Sequence, residues 1–553
     1  MFDIIKKYWH TSRHLRPVQI YGRLLFRLKR PRVDDRGPPL RRVAIGRWTP
    51  PARRRMSMIG KRKFNFLNEH GDLDQMGWDN PQVEKLWRYN LHYFDDLNAL
   101  NASARNVWHL AIIADWLDQN PPATGSGWEP YPLSLRVVNW IKWACSGGVL
   151  PEPALASLAI QVRWLTKRLE RHLLGNHLFA NAKALIFAGS FYEGTEAESW
   201  LDLGFKILET EVPEQILGDG GQFELTPMYH SLAVEDVLDL INILAYYKSA
   251  NSPKHLAQVN DLERRAPQMV RWLRIMSHPD GEISFFNDAA IGVAPSPKEI
   301  FGYASRLGFP EDTQLRSMEW LEQSGYVRVT ECSAVLIADV GSIGPDYLPA
   351  HAHADTLSFE LSLHERRVIV NSGTSLYGVS EERLRQRGTA AHSTLMMDNL
   401  NSSEVWSGFR VAQRAKPFKV HLSEENRRLE LSASHDGYAR MDTSIVHIRS
   451  WIMEHGRLEI NDRVEGSGYH SIEIQYFLSP EIEVKRLSDI EVLLLDGETS
   501  KEIAVVRAEF GAKIAIKQTT WHPQFGLSLP NICLRIAIQT ELPFAHTTNL
   551  SWS

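Results

Sequence analysis

The apolar residues of this 553-residue chain change their spacing once, near Tyr326. Before that point they recur at i, i+3, i+4 and i+7, as in ALASLAIQVRWLTKRLERHLL and LAVEDVLDLINILAYYKSA, which is the spacing of one helix face. After it, apolar and polar residues alternate, as in DTLSFELSLHERRVIVNSG, which indicates strands. A helical half followed by a strand-rich half predicts a multidomain α+β fold.

Three regions follow from this pattern. Residues 1–80 begin with a basic, aromatic segment and continue with dense Arg, Pro and Gly, and we expect an extension packed on the rest of the chain. Alternatively, the opening segment could form a surface helix or an arm that contacts a membrane. Residues 81–320 hold helical segments separated by short turns, typical of a toroid or solenoid. Residues 321–553 hold many strands, which predicts stacked antiparallel sheets.

Composition narrows the classes of function. A hydrophobic content of 43% and a charged content of 23% indicate ordered globular domains. The net charge of −4 argues against a globally basic nucleic-acid binder. No stretch reaches about 18 apolar residues, so no transmembrane segment is expected. The N-terminus lacks the apolar run of a signal peptide, which predicts a cytoplasmic location, with the periplasm or cell envelope as the alternative.

Two polar clusters occur in the helical half. His177 and Asn181 are four residues apart and therefore share a helix face, while the neighbouring Asn176 could cap that helix or point with them into a cleft. In DGGQFELTPMYH, residues 219–230, the Thr-Pro pair is explained by a helix start. That explanation leaves Tyr229 and the adjacent histidine open to a functional role.

Two further clusters occur in the strand half. His351 and His353 alternate on an extended segment and should point to one side, beside a carboxylate, which makes a candidate metal site. Asn371 ends a predicted strand and His392 follows later in the chain. A sheet could bring His353, Asn371 and His392 together.

Taken in order, these clusters resemble the heparinase II/III superfamily of polysaccharide lyases. The matching stretches are GWEPYPLSLRVVNW (127–140), LLGNHLFANAKALIFAG (173–189), DGGQFELTPMYH (219–230), FFNDAA (285–290), HAHADTLSFEL (351–361) and RGTAAHSTLMMDNLNSSEVWSGFR (387–410). The resemblance implies an incomplete (α/α) toroid followed by an antiparallel β-sandwich. It also implies β-elimination of uronic-acid-containing glycans, either glycosaminoglycans or alginate-like exopolysaccharides.

The resemblance also implies roles for single residues. Asn176 and His177 would bind the uronate carboxylate. Tyr229 would donate a proton, and often also acts as the base, while His351 is the other base candidate. The substrate-binding candidates, which lie in or beside the matching stretches, are Trp128, Asn181, Glu224, His230 and Arg387.

A structural metal is the third implication of the resemblance. His353 would bind it together with an Asp and a later His, and the matching positions are Asn371 and His392. A neutral amide in place of the carboxylate removes one negative charge and should weaken zinc binding. The expected cofactor is a divalent metal, with zinc first and manganese or calcium as alternatives.

Two other functions fit the same sequence. One is a non-catalytic glycan-binding protein of exopolysaccharide assembly. The other is an (α/α) glycoside hydrolase, which needs two facing carboxylates, with Glu129, Asp219, Glu224 and Asp288 as candidates. In each case the expected partner is an anionic polysaccharide, and no sequence feature specifies an oligomeric state.

Overall fold

The computed structural model describes residues 2–248, 253–442 and 444–553. It confirms the α+β fold class, because helices dominate the described chain up to Arg306 and antiparallel strands dominate from Met318 onward. The helices are α1 (Phe2–Ser12), α2 (Pro17–Leu28), α3 (Leu73–Met76), α4 (Lys85–Tyr93), α5 (Asn106–Gln119), α6 (Pro130–Cys145), α7 (Glu152–Lys167), α8 (Gly175–Phe191), α9 (Thr195–Gln215), α10 (Pro227–Tyr247), α11 (Pro253–Ile275), α12 (Pro297–Arg306) and α13 (Glu381–Arg387).

The strands form mainly antiparallel sheets in the second half of the chain. They are β1 (Met58–Gly60), β2 (Lys63–Phe66), β3 (Glu69–Asp72), β4 (Met318–Leu321), β5 (Tyr326–Glu331), β6 (Ala334–Asp339), β7 (Phe359–Leu363), β8 (Arg366–Ile369), β9 (Leu395–Met397), β10 (Val405–Trp406), β11 (Arg410–Val411), β12 (Pro417–Glu425), β13 (Arg428–His435), β14 (Val446–Glu454), β15 (Arg457–Glu465), β16 (Tyr469–Phe477), β17 (Ile482–Arg486), β18 (Glu491–Asp496), β19 (Glu502–Ala508), β20 (Ile514–Trp521), β21 (Leu529–Glu541) and β22 (Phe544–Ser551).

The helical domain, α4 to α12, is organised around α8. This helix packs against α6, α7, α9 and α10, and every residue from Leu178 to Phe191 is buried. Each fully buried Leu or Ile contributes about 1.5–3 kcal/mol relative to an exposed one, so this single helix accounts for much of the local stability. The same burial explains why its sequence is apolar on all sides rather than on one face.

The start of α10 follows the sequence prediction. The Thr226 hydroxyl accepts a hydrogen bond from the backbone N–H of Tyr229 at 3.1 Å, and Pro227 occupies the first turn. The cap fixes where the helix begins. It thereby places Tyr229 in the first turn, at the edge of the helical domain that faces the strands.

The β domain, from β4 onward, contains three large sheets whose strands pair antiparallel. Their orders are β4-β5-β6-β7-β8, β12-β13-β14-β15-β22-β19-β18-β17 and β20-β21-β16-β9. Phe359, Trp451 and Ile474, one from each sheet, are buried in a common apolar core. Stacked sheets that bury their inner faces against each other form a sandwich, as expected.

The N-terminal segment runs along both domains. The Gln19 amide donates a hydrogen bond to the Tyr347 carbonyl at 3.1 Å, and the Gly46 N–H donates to the Tyr246 carbonyl at 2.8 Å. Residues 29–57 contain no helix, in keeping with their Arg, Pro and Gly content. None of the described helices is both long enough and apolar enough to cross a bilayer.

Candidate functional site

A cavity of about 320 Å³ lies between α6, α8 and α10 and is bordered by loops of the β domain. Its α8 wall consists of Asn176, Phe179, Ala180 and Lys183, spaced at i, i+3, i+4 and i+7. One face of α8, a helix that is otherwise buried, therefore lines the cavity. Tyr377, from the β domain, also lines the cavity.

Three side chains from distant parts of the chain meet beside this cavity, which Tyr229 and Tyr377 line directly. The rings of Tyr229 and His351 lie with their centroids 4.2 Å apart, and the hydroxyls of Tyr229 and Tyr377 are 3.0 Å apart. Tyr229 comes from the first turn of α10, whereas His351 and Tyr377 come from loops that follow β6 and β8. Burial, and then the neighbouring phenol of Tyr377, raise the pKa of Tyr229 well above 10, so its hydroxyl is a proton donor at neutral pH.

Asp288 orients the His351 ring. Its Oδ2 lies 2.9 Å from His351 Nδ1, and the Arg383 guanidinium binds both carboxylate oxygens. Burial opposes the charge, but Arg383 and the two histidines that contact it hold the pKa of Asp288 well below its usual range. An ionised partner at Nδ1 assigns the N–H to that nitrogen and leaves the lone pair on Nε2.

Glu224 lies beside that second nitrogen. Its Oε2 is 3.6 Å from His351 Nε2, which is too long for a hydrogen bond. Glu224 is buried, and its Oε1 accepts a hydrogen bond from the Gln222 amide at 3.3 Å. It therefore contributes negative charge next to His351. It is not among the described residues that line the cavity.

Asn176 and His177 lie in the first turn of α8. Asn176 reaches the cavity wall. The ring of His177 packs against Tyr131, with centroids 4.5 Å apart, and its Nδ1 lies 3.1 Å from Glu170 Oε1. Burial disfavours the charged ring, but the Glu170 carboxylate outweighs it and raises the pKa of His177. An imidazole whose charged form is favoured in this way, beside a polar amide, is suited to binding an anion.

Two of the substrate-binding candidates in the helical domain are buried structural residues. Asn181 shares a helix face with His177 as predicted, but it is fully buried, and its amide bonds the backbone N–H and the carboxylate of Glu170. His230 is also fully buried, with its Nε2 donating to the Met269 carbonyl at 2.8 Å. Burial lowers the pKa of His230 to about 3, so this ring is neutral. Direct substrate contact was the wrong expectation for both.

Trp128 and Arg387 are corrected in the same way. Trp128 is buried against Trp116, and its indole N–H donates to the Asn120 carbonyl at 3.1 Å. Arg387 is fully buried, and its guanidinium donates to the Ala352 carbonyl at 3.0 and 2.9 Å. Burial lowers the pKa of Arg387 to about 9. Its hydrogen bonds fix the backbone between the two histidines of the loop, and further bonds to the Ser407 and Arg410 carbonyls engage most of its remaining donors within the protein.

A cluster of metal-binding groups lies behind His351. His353 Nδ1 and His392 Nε2 are 3.2 Å apart, and a carboxylate oxygen of Asp355 lies within 4.8 Å of the ligand atoms of both. All three side chains are buried. Burial lowers the pKa of His353 to about 4 and that of His392 to about 3, so both rings are neutral, as metal ligands must be. Two imidazoles and a carboxylate suit zinc.

Asn371 is held differently from the ligand predicted by the sequence. Its Nδ2 donates to the Ser358 hydroxyl at 3.2 Å, and its Oδ1 accepts from the Ser393 backbone N–H at 3.2 Å. Both polar ends of the amide therefore have protein partners. The acidic group that stands with the two imidazoles is Asp355, whose carboxylate the sequence placed near them without including it in the metal set.

The inner end of the cavity carries balanced charge. The cations that line it are Arg54, Arg55, Lys142 and Lys183, and the anions are Asp95, Glu235, Asp236 and Asp239. Four positive and four negative side chains sum to zero. Lys183, for example, lies 2.7 Å from oxygens of both Asp236 and Asp239. These charges neutralise one another, so the cavity has no surplus of positive charge.

Solved structures of similar fold include a heparinase III crystal structure, which matches with a TM-score of 0.68 and 18% identity over 87% of this chain and 79% of that one. This fold and site define a class of protein in which a helical domain is joined to a β-sandwich and a Tyr–His pair lies where the two domains meet. Residues 62–316 match the family model for the heparinase II/III N-terminus, and residues 313–553 match that for the heparinase II/III-like C-terminal domain. The chain belongs to the heparinase II/III family.

Two curated relatives carry different names. A heparin-sulfate lyase of Bacteroides stercoris is 26% identical over 271 residues, 45% of this chain and 40% of that protein. FtsZ-localized protein C of Caulobacter vibrioides is 26% identical over 381 residues, 67% of this chain and 61% of that protein. The chain thus spans between about two fifths and three fifths of the length of these relatives.

Three residues of the site had weak or no sequence signals. Asp288 was a candidate only for a hydrolase, although it lies in the matching stretch FFNDAA. Tyr377 was visible only as one residue of the loop after Asn371, and Arg383 had no signal at all. Their roles follow from the contacts of Tyr377 with Tyr229, of Asp288 with His351 and of Arg383 with Asp288, which depend on how the two domains meet.

Proposed function

We propose that this protein is a polysaccharide lyase that cleaves uronate-containing glycans by β-elimination. The observation that carries the proposal is the pairing of the Asp288-oriented imidazole of His351 with Tyr229, which lines the same cavity as Asn176. Elimination removes the C5 proton of a uronate, breaks its C4–O bond and leaves a 4,5-double bond. It therefore needs a base, an acid and a group that neutralises the carboxylate.

Asn176 and His177 are the groups proposed to neutralise the uronate carboxylate. The C5 proton becomes more acidic when hydrogen bonds stabilise the enolate-like transition state that forms as this proton leaves. The Asn176 amide is a neutral donor, and the raised pKa of His177 favours its charged form. Removal of one such donor is expected to cost about 10²–10³ in rate, by analogy with oxyanion-hole donors.

His351 is proposed as the base and Tyr229 as the acid. The ionised Asp288 at Nδ1 leaves the His351 lone pair on Nε2, the state that accepts a proton. The pKa of Tyr229 is held well above 10 by burial and by Tyr377, which keeps its hydroxyl protonated and able to donate to the leaving oxygen. Deprotonation of Tyr229 before substrate binds is correspondingly unfavourable.

The positions of the two groups suggest which uronate is cleaved. The Tyr229 and His351 rings lie side by side, with their centroids 4.2 Å apart, so both can approach one face of the sugar. In glucuronate the C5 hydrogen and the C4 oxygen lie on the same ring face, whereas in iduronate they lie on opposite faces. A glucuronate-type substrate is therefore favoured. The matched comparison is the rate of cleavage of chondroitin sulfate against that of dermatan sulfate.

The balanced charge of the cavity favours a lightly charged glycan. A heavily sulfated chain would bring several negative charges to a cavity in which three of the four cations, Arg54, Lys142 and Lys183, are already paired with carboxylates. Desolvating those sulfates without new counter-charges is unfavourable. Heparosan is expected to be cleaved faster than N-sulfated heparosan, in which a charged N-sulfate replaces the neutral N-acetyl group.

A divalent metal, zinc first, is proposed to bind His353, Asp355 and His392. The donor set fits, since two neutral imidazoles and a buried carboxylate converge on one point. Such a metal would supply a structural cross-link between the loop that carries His351 and the segment that ends at His392. The chemistry at the sugar is assigned to the side chains of this chain.

Hydrolysis is less well supported. Of the four carboxylates considered for it, Glu129, Asp219, Glu224 and Asp288, none is among the described residues that line the cavity. The carboxylates that do line it, Asp95, Glu235, Asp236 and Asp239, are each engaged in an ion pair with Arg54, Lys142 or Lys183. Asp288, the one nearest the Tyr–His pair, is fully buried and bound by Arg383. A retaining or inverting hydrolase needs two carboxylates that flank the sugar.

The test is cleavage of a panel of glycans followed by ultraviolet absorbance of the 4,5-unsaturated product. The panel contains heparosan, heparin, hyaluronan, chondroitin and alginate. We expect absorbance with at least one glucuronate-type glycan and a loss of about 10²–10⁴-fold in Tyr229→Phe. Tyr246→Phe, at the far end of the same helix, is the control and should keep the wild-type rate.

Two outcomes would contradict the proposal. Equal rates for Tyr229→Phe and wild type would remove Tyr229 from the chemistry. Binding of a glycan without cleavage of any panel member, by protein that is folded, would favour the non-catalytic glycan-binding function instead.

A further inference from the structure

The helix α2 presents its apolar face to solvent. Ile20, Tyr21, Leu24, Leu25 and Leu28 follow helical spacing, and each is more than half exposed, with Leu28 68% exposed. A surface helix of a globular protein normally turns such a stripe inward. An outward stripe of this size marks a surface that contacts something else.

The opposite face of α2 is the one that contacts the protein. Gln19 is buried and bonds the Tyr347 carbonyl, Gly22 lies directly against the side chain of His172, and Phe26 packs on the His172 ring with centroids 4.4 Å apart. The Gly22 position is too close for a larger side chain, since an added Cβ would lie 2.9 Å from His172 Cβ. The helix is therefore docked by the side that carries Gln19, Gly22 and Phe26, and its larger apolar stripe remains exposed.

The helix α1 repeats the arrangement. Ile4, Ile5 and Trp9 are exposed, Trp9 by 65%, although they are the most apolar residues of that helix whose side chains are described. Its anchoring contact is made by Tyr8, whose ring meets that of Trp406 with centroids 4.9 Å apart. Two consecutive helices thus expose large apolar side chains while they are fixed to the body of the protein.

The charge of this segment is one-sided. Between residues 6 and 32 the sequence contains nine Lys or Arg residues and no Asp or Glu. Among the described residues, Arg16 pairs with Glu214, whereas Lys6, Lys7, Arg23 and Arg27 are in no ion pair. Unpaired cations beside an exposed apolar stripe are complementary to a surface that is both anionic and apolar beneath.

We propose that α1 and α2 form a docking surface for an anionic lipid bilayer, on which this protein binds peripherally. Ile20, Leu24, Leu25 and Trp9 enter the interface between headgroups and acyl chains, and the neighbouring lysines and arginines contact the headgroup phosphates. A second copy of the chain would place the unpaired Lys6, Lys7, Arg23 and Arg27 of one copy against those of the other, which disfavours a dimer through this face. The surface lies outside the cavity described above, so the inference does not depend on the proposed lyase activity.

The test is sedimentation of the full chain with vesicles. Wild type is expected to bind vesicles of phosphatidylcholine mixed with phosphatidylglycerol, and to bind pure phosphatidylcholine vesicles at least about tenfold more weakly. Raising the salt concentration should weaken binding because the headgroup attraction is screened. The double variant Leu24→Asp, Leu25→Asp should lose binding, and Arg23→Glu, Arg27→Glu should reduce it about tenfold or more.

The control is Phe510→Asp, which alters the most exposed large apolar side chain, 95% exposed, in the β domain far along the chain. It should bind vesicles like wild type. All of these variants change exposed residues, and circular dichroism checks that each is folded. The proposal is overturned if wild type does not bind anionic vesicles or if Leu24→Asp, Leu25→Asp binds them equally well. It is also overturned if light scattering shows a wild-type dimer that this double variant converts to monomer.

Discussion

At the scale of single residues, the chemistry proposed for His351 depends on Asp288. Asp288 contacts His351, His353 and Arg383 and is fully buried. An ionised carboxylate in this position fixes the tautomer of the ring and stabilises the imidazolium that forms when the ring accepts a proton. The sequence could predict His351 as a candidate, but not the partner that makes it a base.

Asp288→Asn is expected to lower kcat by about 10²–10⁴-fold, because an amide no longer enforces the tautomer that leaves Nε2 free. The rate of formation of the ultraviolet-absorbing product measures this. Asp118→Asn, at the exposed end of α5, is the matched control. Because Asp288 is buried beside Arg383, the unfolding midpoint of each variant is measured as well. A folded Asp288→Asn protein with the wild-type kcat would contradict the assignment.

Glu170 is expected to set the pH range in which His177 carries a charge. The Glu170 carboxylate raises the pKa of His177 against the effect of burial, so the charged ring persists to higher pH than in a free histidine. Glu170→Gln keeps the shape and removes that charge, which lowers the pKa of His177. The alkaline limb of kcat/KM against pH should therefore move to lower pH.

The pH profile of the exposed variant Glu209→Gln, on α9, is the control for this prediction and should match wild type. An alkaline limb that stays in place in Glu170→Gln would show that His177 does not control it.

At the scale of elements, the periodicity of the sequence predicted the helical region before about Tyr326 and the strand-rich region after it, but not the strands β1 to β3 within the first 80 residues. It also placed His177 and Asn181 correctly on one helix face. Periodicity could not show that other parts of the protein cover this face one turn further along, where Asn181 contacts Glu170 in the interior. Burial of a particular turn depends on the packing of α6 against α8, which leaves no local mark in the α8 sequence. The same limit explains the errors at Trp128 and His230.

A buried ion pair in the β domain joins the segments that carry the metal-binding groups. Arg449 forms two hydrogen bonds with Asp462, both at 2.8 Å, and donates to the carbonyls of Leu357 and Ser393. Leu357 follows Asp355 by two residues, and Ser393 follows His392 directly. Arg449, on strand β14, thereby links the segment that follows Asp355 to the segment that follows His392.

Arg449→Met is expected to destabilise the β domain by about 3–5 kcal/mol, because it leaves the carboxylate of Asp462 buried without its counter-charge. Urea unfolding followed by tryptophan fluorescence measures the change. Arg457→Met, on the exposed end of β15, is the control and should cost less than about 1 kcal/mol. Equal midpoints for the two variants would show that the link carries little stability.

The same ion pair gives the β domain a defined pH dependence. Burial opposes the charge of Asp462, but Arg449 and His447 lower its pKa below the ordinary value of 3.8. A depressed carboxylate pKa contributes stability that is present above the unfolded pKa and lost as pH falls through the folded one. Wild type should therefore lose stability below about pH 4, and Arg449→Met should lose less over that interval.

At the scale of the whole molecule, the site exists only because two differently folded halves meet. Tyr229 comes from the helical domain, whereas His351 and Tyr377 come from the β domain. The resemblance to a known family was enough to select Tyr229 and His351 together from the sequence. Asp355, Tyr377 and Arg383 could not be assigned, because their roles are set by distances between segments that are far apart in the chain.

Removal of the proposed metal should loosen the β domain more than it alters substrate binding. His353, Asp355 and His392 lie on separate segments, so a bound ion adds stability by linking them. We expect a chelator to lower the melting temperature while KM changes little. Asp355→Asn should reduce the metal content found by elemental analysis more than Asn371→Ala does. Metal-free protein with a melting curve that a chelator leaves unchanged would contradict the assignment.

The most direct measurement of the central claim is cleavage of a glucuronate-containing glycan in water labelled with heavy oxygen, followed by mass spectrometry and ultraviolet absorbance of the products. Elimination takes the C5 proton and breaks the C4–O bond without adding water. We therefore predict that neither new chain end carries the label and that one end absorbs as a 4,5-unsaturated uronate. A labelled reducing end without that absorbance would mean hydrolysis, and it would contradict the roles assigned to Tyr229 and His351.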